Sequence, residues 1–386
     1  MSVSTLSAAW PKRLAKAADE RRSQGLWRER RTRSADLVDF AGNDYLGLAN
    51  DPRLAEAQAD GARRFGSGAA ASHLVSGHME VHDVLERRLA KLVGRPRALL
   101  FSTGYMANLG TLQALCDDAT HVFQDRLNHA SLLDGVKLSG ARSRRFHHRD
   151  HDDLERLLAR TPAEAAKLVV SDGVFSMDGD VANIGALADL SARHDAWLMI
   201  DDAHGLGVVG AHGDGCVGHA HDVGRVPILV GTLGKALGTG GAFVAGSEAL
   251  IEHLIQFARP YVYTTAQPPG VAAATLAALD ILAGEPERRE RLRDAIGYFR
   301  HEAALLGLPL ADSLTPIQPL MLTETERVMR WAVKLHDAGL AVGAIRSPSV
   351  PRGEARLRIT LCAQHGREVL DRLLENLSRL QREEAG

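Results

Sequence analysis

Only three cysteines occur in the chain, Cys116, Cys216 and Cys362, far apart and odd in number. That excludes a disulfide framework and points to a reducing compartment. Charge of one sign is lacking too. Forty-six basic side chains against 48 acidic ones leave a formal charge of −2, which offers no general attraction for nucleic acid or an anionic membrane. The basic runs Arg28-Glu29-Arg30-Arg31 and Arg142-Ser143-Arg144-Arg145 read as solvated faces. No apolar signal core opens the chain, because Trp10-Pro11-Lys12-Arg13 interrupts it early. The longest weakly charged stretch, Val226 to Gly246, holds Lys235 and many glycines. It reads as two buried strands and a loop, not as a membrane span. Internal repeats and low-complexity linkers are also missing. A soluble, cytoplasmic protein with neither a nucleic-acid nor a membrane partner is expected.

What is present suffices for a large core, since 386 residues can bury one and divide into subdomains. From about residue 80 to 260, helical patterns alternate with short apolar runs. Val81, Val84, Leu85, Leu89 and Leu92 recur at helical spacing before a stop at Gly94. Strands are expected at Ala98–Thr103, His121–Gln124, Ser143–His147, Lys167–Ser171, Ala196–Asp201, Pro227–Gly231 and Ala242–Ala245. Helices fall between them, as at Asp153–Leu158 and Ile184–His194. The fold class is therefore α/β, with a mostly parallel seven-stranded sheet between helices. Beyond Pro268-Pro269 a charged helix over Pro286–Leu306 leads into strands near Ile317–Leu322 and Ala355–Leu361. These flank a helix at Glu326–Ala338, and a last helix carries Val369 through Leu380. The expected organisation is an N-terminal segment (1–45) packing with the small domain, a large domain (46–285) and a smaller α+β C-terminal domain (286–386).

Several strand ends carry reactive groups. Lys235 lies in Val230-Gly231-Thr232-Leu233-Gly234-Lys235-Ala236-Leu237-Gly238, and Asp201 and His204 lie in Met199-Ile200-Asp201-Asp202-Ala203-His204-Gly205. Strand ends deliver side chains to the mouth of an α/β sheet, where ligands bind. One lysine among small residues, with a carboxylate and an imidazole from a neighbouring strand, suits an aldehyde cofactor. The lysine forms a Schiff base and the carboxylate keeps a pyridine nitrogen protonated, which points to pyridoxal 5′-phosphate (PLP). Five glycines between Gly231 and Gly241 clear side chains where the backbone approaches something closely.

Other segments converge on the same reading. Ser102-Thr103-Gly104-Tyr105-Met106-Ala107-Asn108 follows a strand and opens a helix, either as a phosphate site at the positive helix end or as a plain connection. His129 follows another strand and is either a ring stacked on a flat cofactor or a structural histidine. Ser176 and Asp172, in Asp172–Asp180, face the crevice of Asp201. Three motifs are decoys. Gly205-Leu206-Gly207-Val208-Val209-Gly210 matches a dinucleotide fingerprint, but Ala211-His212-Gly213-Asp214-Gly215 cannot open the helix it needs. An NAD-dependent oxidoreductase built on it is the alternative from another class, and a catalytically silent PLP binder is a second. His147-His148-Arg149-Asp150-His151 and Cys216…His219…His221 lack a second ligand pair at standard spacing, so no metal is expected.

Together these motifs closely resemble the α-oxoamine synthases, fold-type I PLP-dependent transferases, over nearly the whole chain from Phe40-Ala41-Gly42-Asn43-Asp44-Tyr45-Leu46-Gly47-Leu48 to Arg356-Leu357-Arg358-Ile359-Thr360. That family condenses an amino acid with an acyl thioester and releases carbon dioxide. Ser76-Gly77-His78 with Val81-His82, Ile317-Gln318-Pro319-Leu320 and Ala344–Pro351 resemble most the branch that joins L-alanine to a pimeloyl thioester, carried by coenzyme A or a carrier protein, in biotin biosynthesis. Asp172 and Ser349 depart from that branch, and the branch using glycine and an acetyl thioester is the alternative. The resemblance implies that Lys235 is the Schiff-base lysine, Asp201 the partner of the pyridine nitrogen, and His204 a hydrogen-bond partner of the ring oxygen. It implies that His129 stacks on the ring, that Gly104, Tyr105 and Thr232 hold the phosphate, and that Ser176 lies near the ring oxygen. Asn43 and Arg358 would hold the amino-acid carboxylate, and Ser349 and Arg28 would touch substrate. It further implies a homodimer in which Thr264 or Thr265 reaches the neighbour's phosphate. Strand alternation puts Arg356 and Arg358 on one face, so spacing alone does not choose between them.

Overall fold

The computed structural model describes residues 9–385 apart from positions 31, 33 and 35. It divides into two units, one ending at Leu37 and one beginning at Val38. The first holds a helix, Ala9–Ser23, in which no residue is buried. The guanidinium of Arg22, in the last turn of this helix, lies 4.2 Å from the centre of the Trp27 ring. No helix among the described residues is long and apolar enough to cross a membrane.

The second unit carries eleven strands: β1 (Val38–Phe40), β2 (Arg97–Phe101), β3 (His121–Asp125), β4 (Arg142–Phe146), β5 (Lys167–Asp172), β6 (Trp197–Asp201), β7 (Ile228–Thr232), β8 (Ala242–Gly246), β9 (Ile317–Thr323), β10 (Leu340–Ile345) and β11 (Ala355–Thr360). Strands β2 to β8 form one sheet in the order β2-β8-β7-β6-β5-β3-β4. Only β8 runs against its neighbours; the pairings among β3 to β7 are parallel. The seven apolar runs in the sequence are these seven strands, displaced by no more than a residue or two.

Alternation sorts the side chains into two cores. In β6, Leu198 and Ile200 join one cluster while Met199 joins the other. In β8, Phe243 and Ala245 point one way, Ala242 and Val244 the other. Helices Gly104–Leu115 and Glu248–Phe257 cover one face. A sheet buried on both sides explains why its central strands read as unbroken apolar runs.

The remaining strands pair as β1-β10-β11-β9, antiparallel except for β1 with β10. Helix Thr325–Asp337 packs on β9 to β11 and buries Trp331. Helix Glu287–Leu305 packs against the last helix, Arg367–Ala385. Strands β1 and β10 lie outside the strands expected from the sequence. One has three residues, and the other is built around Ala341, Gly343 and Ala344, whose small side chains carry little strand signal.

Strands β5, β6 and β7 run parallel and end at Asp172, Asp201 and Thr232; Asp172 pairs with Asp201, and Thr232 lies two residues beyond Val230, the partner of Asp201. The mouth of the sheet is therefore polar. Gly205–Gly210 lies in the turns after β6, where the Gly207 N–H bonds to the Gly213 carbonyl at 2.8 Å and no helix follows. The nucleotide-fingerprint alternative lacks its structural context.

Candidate active site

A cavity of about 210 Å³ opens at the carboxyl ends of β5 to β7. Gly104, Tyr105, His129, Ser176, Asp201, His204, Thr232 and Lys235, drawn from five segments of the chain, all line it. Asn108, Ser131 and Asp172 complete the polar wall.

The Lys235 amine stands 2.8 Å from His204 Nε2. Burial pulls its pKa from the ordinary lysine value down to about 8, against the attraction of Asp201 and Asp172. His204 is buried, and that burial, reinforced by the charges of Lys235 and Arg358, holds it well below the usual histidine range, so it is neutral. Its Nδ1 meets the Tyr45 hydroxyl at 2.5 Å, and Tyr45 donates to Asn43 Oδ1 at 3.2 Å. One tautomer satisfies the whole chain: Nδ1–H donates to Tyr45, and Nε2 accepts from Lys235. Burial pushes the Tyr45 phenol up to about 12, which keeps it a donor at neutral pH.

Asp201 is buried and oriented by two donors, Asn108 Nδ2 at 2.6 Å and the Ala203 N–H at 3.0 Å. No cation among the described residues lies within salt-bridge reach of it. Asp172 pairs beside it across β5 and β6 and accepts the His129 N–H at 2.7 Å. Burial, then repulsion from Asp201, drives the Asp172 pKa well above the usual carboxylate range. His129 caps helix Ala130–Ser139, its Nδ1 2.7 Å from Ser131 Oγ.

Helix Gly104–Leu115 begins at the cavity wall with Thr103 as its cap. The cap hydroxyl takes the Met106 N–H, and no acceptor among the described residues serves the Gly104 and Tyr105 N–H groups. A Cβ on Gly104 would meet nothing within 4 Å, so the space in front of the helix end is open. Glycines around Lys235 stand where the backbone approaches something closely, as expected. At Gly231 a Cβ would come within 2.6 Å of Phe243, and at Gly238, with φ +67°, within 2.5 Å of the Ala49 nitrogen. Those close approaches are to the protein itself.

Arg356 and Arg358 are both buried, but their partners differ. Arg356 is ion-paired with Asp178 and with Glu354. Arg358 donates to neutral acceptors: the Ser176 carbonyl at 2.6 Å, Thr360 Oγ1 at 2.9 Å and Asn43 Oδ1 at 3.0 Å. A buried guanidinium with no carboxylate partner among the described residues leaves an anion site beside the cavity.

Not every expected residue comes to this cavity. Ser349 is exposed and lines a second, larger cavity. Thr264 and Thr265 line neither; Thr265 bridges to Ser72. Arg28 is exposed in the N-terminal unit. Tyr45, Asn108 and Ser131 were not singled out from the sequence as site residues, although Tyr45 and Asn108 sit inside quoted motifs. His148 is held between Asp125 and Asp180, which lift its pKa to about 9 against burial. Three other imidazoles, His73, His78 and His82, converge, but His82 already accepts the Met79 N–H and donates to the Gln267 carbonyl.

Fold and cavity define a class first, a fold-type I enzyme of PLP. The donor set fits that cofactor: an uncompensated buried carboxylate for a ring nitrogen, an open helix end for a phosphate, and an amine of lowered pKa in the same cavity. A family model of class I and II aminotransferases matches residues 35–377. An 8-amino-7-oxononanoate synthase from Chromohalobacter salexigens is 72% identical over 97% of this chain and 98% of its own length. Among solved structures, a serine palmitoyltransferase from S. paucimobilis with a bound PLP–myriocin aldimine matches at TM-score 0.90 and 29% identity, covering 97% of this chain and 98% of that one. An 8-amino-7-oxononanoate synthase from Francisella tularensis matches at TM-score 0.78 and 31% identity, covering 92% and 100%. The chain belongs to the class I and II aminotransferase family and, within it, to the 8-amino-7-oxononanoate synthases. Its cofactor is PLP.

Proposed function

We propose that this enzyme condenses L-alanine with a pimeloyl thioester, releasing carbon dioxide and the free thiol and yielding 8-amino-7-oxononanoate for biotin synthesis. The observation that carries the reading is the Lys235 amine, its pKa lowered to about 8, in one cavity with the unpaired carboxylate of Asp201. When bound, PLP supplies an aldehyde for the amino group and a ring that takes up electron density released at the α-carbon.

The chain's own residues then divide the work. Lys235 carries the cofactor at rest. Displaced by alanine's amine, it is the base for the α-proton, and its lowered pKa favours the free amine. Asp201 holds the ring nitrogen's proton, oriented by Asn108. His204 and Ser176 would face the ring oxygen, and His129 would cover the ring face. The free N–H groups of Gly104 and Tyr105, with the Thr232 hydroxyl, hold the phosphate. Arg358 and Asn43 bind alanine's carboxylate, while Ser349 contacts substrate. A second copy of the chain completes the site through Thr264 or Thr265. The three free cysteines suit a cytoplasmic setting.

A panel pairing alanine or glycine with pimeloyl, acetyl and succinyl thioesters tests the reading. Fastest turnover is expected with alanine and the pimeloyl donor. Preference for glycine with the acetyl donor would overturn it.

A further inference from the structure

Beside the cofactor cavity lies a second one of about 520 Å³. The two are separated by a single layer of chain: Asn128 and Ala130 line the large cavity and His129 the small one, while Phe175 and Met177 flank Ser176 in the same way. The large cavity has apolar wall from Leu127, Leu133 and Val350, suited to a run of methylenes.

Its charges do not balance. Arg356 is already matched by Asp178 and Glu354, which line the same cavity. Arg126 and Arg145 line it as well, and neither has a carboxylate within salt-bridge reach among the described residues. Both positions are held. The Arg126 N–H bonds to the Phe146 carbonyl at 3.1 Å, which continues the pairing of β3 and β4. The Arg145 guanidinium in turn donates to the Arg126 carbonyl. Three guanidiniums, Arg126, Arg145 and Arg356, thus face two carboxylates that Arg356 already engages, and the surplus positive charge, on the exposed side chains of Arg126 and Arg145, forms a receptor for an anionic group at the end of an apolar chain.

We infer that Arg126, supported by Arg145, binds the terminal carboxylate of the acyl donor and so selects a dicarboxylic over a monocarboxylic chain. The inference rests on the proposed acyl-thioester function and names the specificity determinant within it. Its chemistry is a carboxylate on a guanidinium fork. The competing source of negative charge is the phosphate-bearing carrier of the thioester.

The test is calorimetric titration of the PLP-loaded enzyme, without amino acid, using pimeloyl-CoA and heptanoyl-CoA. The two share carrier and chain length and differ in the terminal carboxylate, so carrier contacts cancel in the ratio of their dissociation constants. Wild type is expected to prefer pimeloyl-CoA. Arg126→Gln should reduce that preference on the order of 10- to 100-fold, the usual worth of a charge-assisted hydrogen bond. Arg126→Lys should restore part of it. An equal weakening of both donors would overturn the inference and assign the rim to the carrier. A wild type without preference, or an unchanged ratio in Arg126→Gln, would overturn it as well. Failure of the proposed function would look different: binding with the expected preference, but no thiol released on adding alanine.

Discussion

The clearest separation of two neighbouring residues comes from replacing Arg358 and Arg356 one at a time. Both are buried on one face of β11, but among the described residues Arg358 bonds to neutral groups while Arg356 is neutralised by Asp178 and Glu354. An alanine carboxylate at Arg358 would receive two parallel charge-assisted hydrogen bonds, each worth about 1.5–3 kcal/mol. Arg358→Ala should therefore weaken alanine binding by about 3 kcal/mol or more, on the order of 100-fold, with the cofactor's spectrum retained. Arg358→Lys keeps the charge and loses the fork, so it should fall between. Arg356→Ala removes a structural ion pair instead. Because Asp178 and Glu354 are partly open to water, the cost should be about 1–2 kcal/mol of stability, a thermal midpoint lower by a few degrees, and little change in alanine affinity. The assay is alanine titration followed through the cofactor's absorbance in each variant. If Arg356→Ala weakens alanine binding and Arg358→Ala leaves it unchanged, the assignment of the anion site is wrong.

Lys235→Ala should abolish turnover, and borohydride treatment should no longer attach PLP to the protein; attachment at normal stoichiometry would place the lysine elsewhere. Asp201→Asn should keep the fold but slow α-proton exchange on alanine on the order of 100-fold or more, at ~1.4 kcal/mol per tenfold, and near-normal exchange would refute its role at the ring nitrogen. In the cofactor-free protein, Lys235→Met should raise the thermal midpoint at pH 7. A buried lysine whose folded pKa is lowered to about 8 destabilises while it is protonated, and that penalty is relieved as pH rises from about 8 toward the ordinary lysine value. The gap between variant and wild type should therefore narrow over that range, and a gap that widens would contradict the burial of a charged amine.

The large sheet was legible because strands buried on both faces must be apolar throughout, as Val169-Val170 and Leu198-Met199-Ile200 are. Reactive residues at their ends follow directly, and so Asp172, Asp201, Thr232 and Lys235 could be placed at one mouth. Contacts between distant segments left no such trace. Tyr45 and His204 meet across 159 positions, and Asn108 reaches Asp201 across 93. The choice between Arg356 and Arg358 likewise depended on where Asp178 falls, which alternation within β11 does not encode. Strand β10 escaped notice because Ala341, Gly343 and Ala344 are strand residues only through their pairing with β11 and β1.

The most direct measurement follows the carboxyl carbon. The PLP-loaded enzyme is given L-alanine labelled in its carboxyl group together with pimeloyl-CoA, and gas and product are analysed by mass. The expected result is labelled carbon dioxide in equal amount to unlabelled 8-amino-7-oxononanoate and free thiol. Label retained in the product, or thiol release without carbon dioxide, would contradict a decarboxylative condensation at this site.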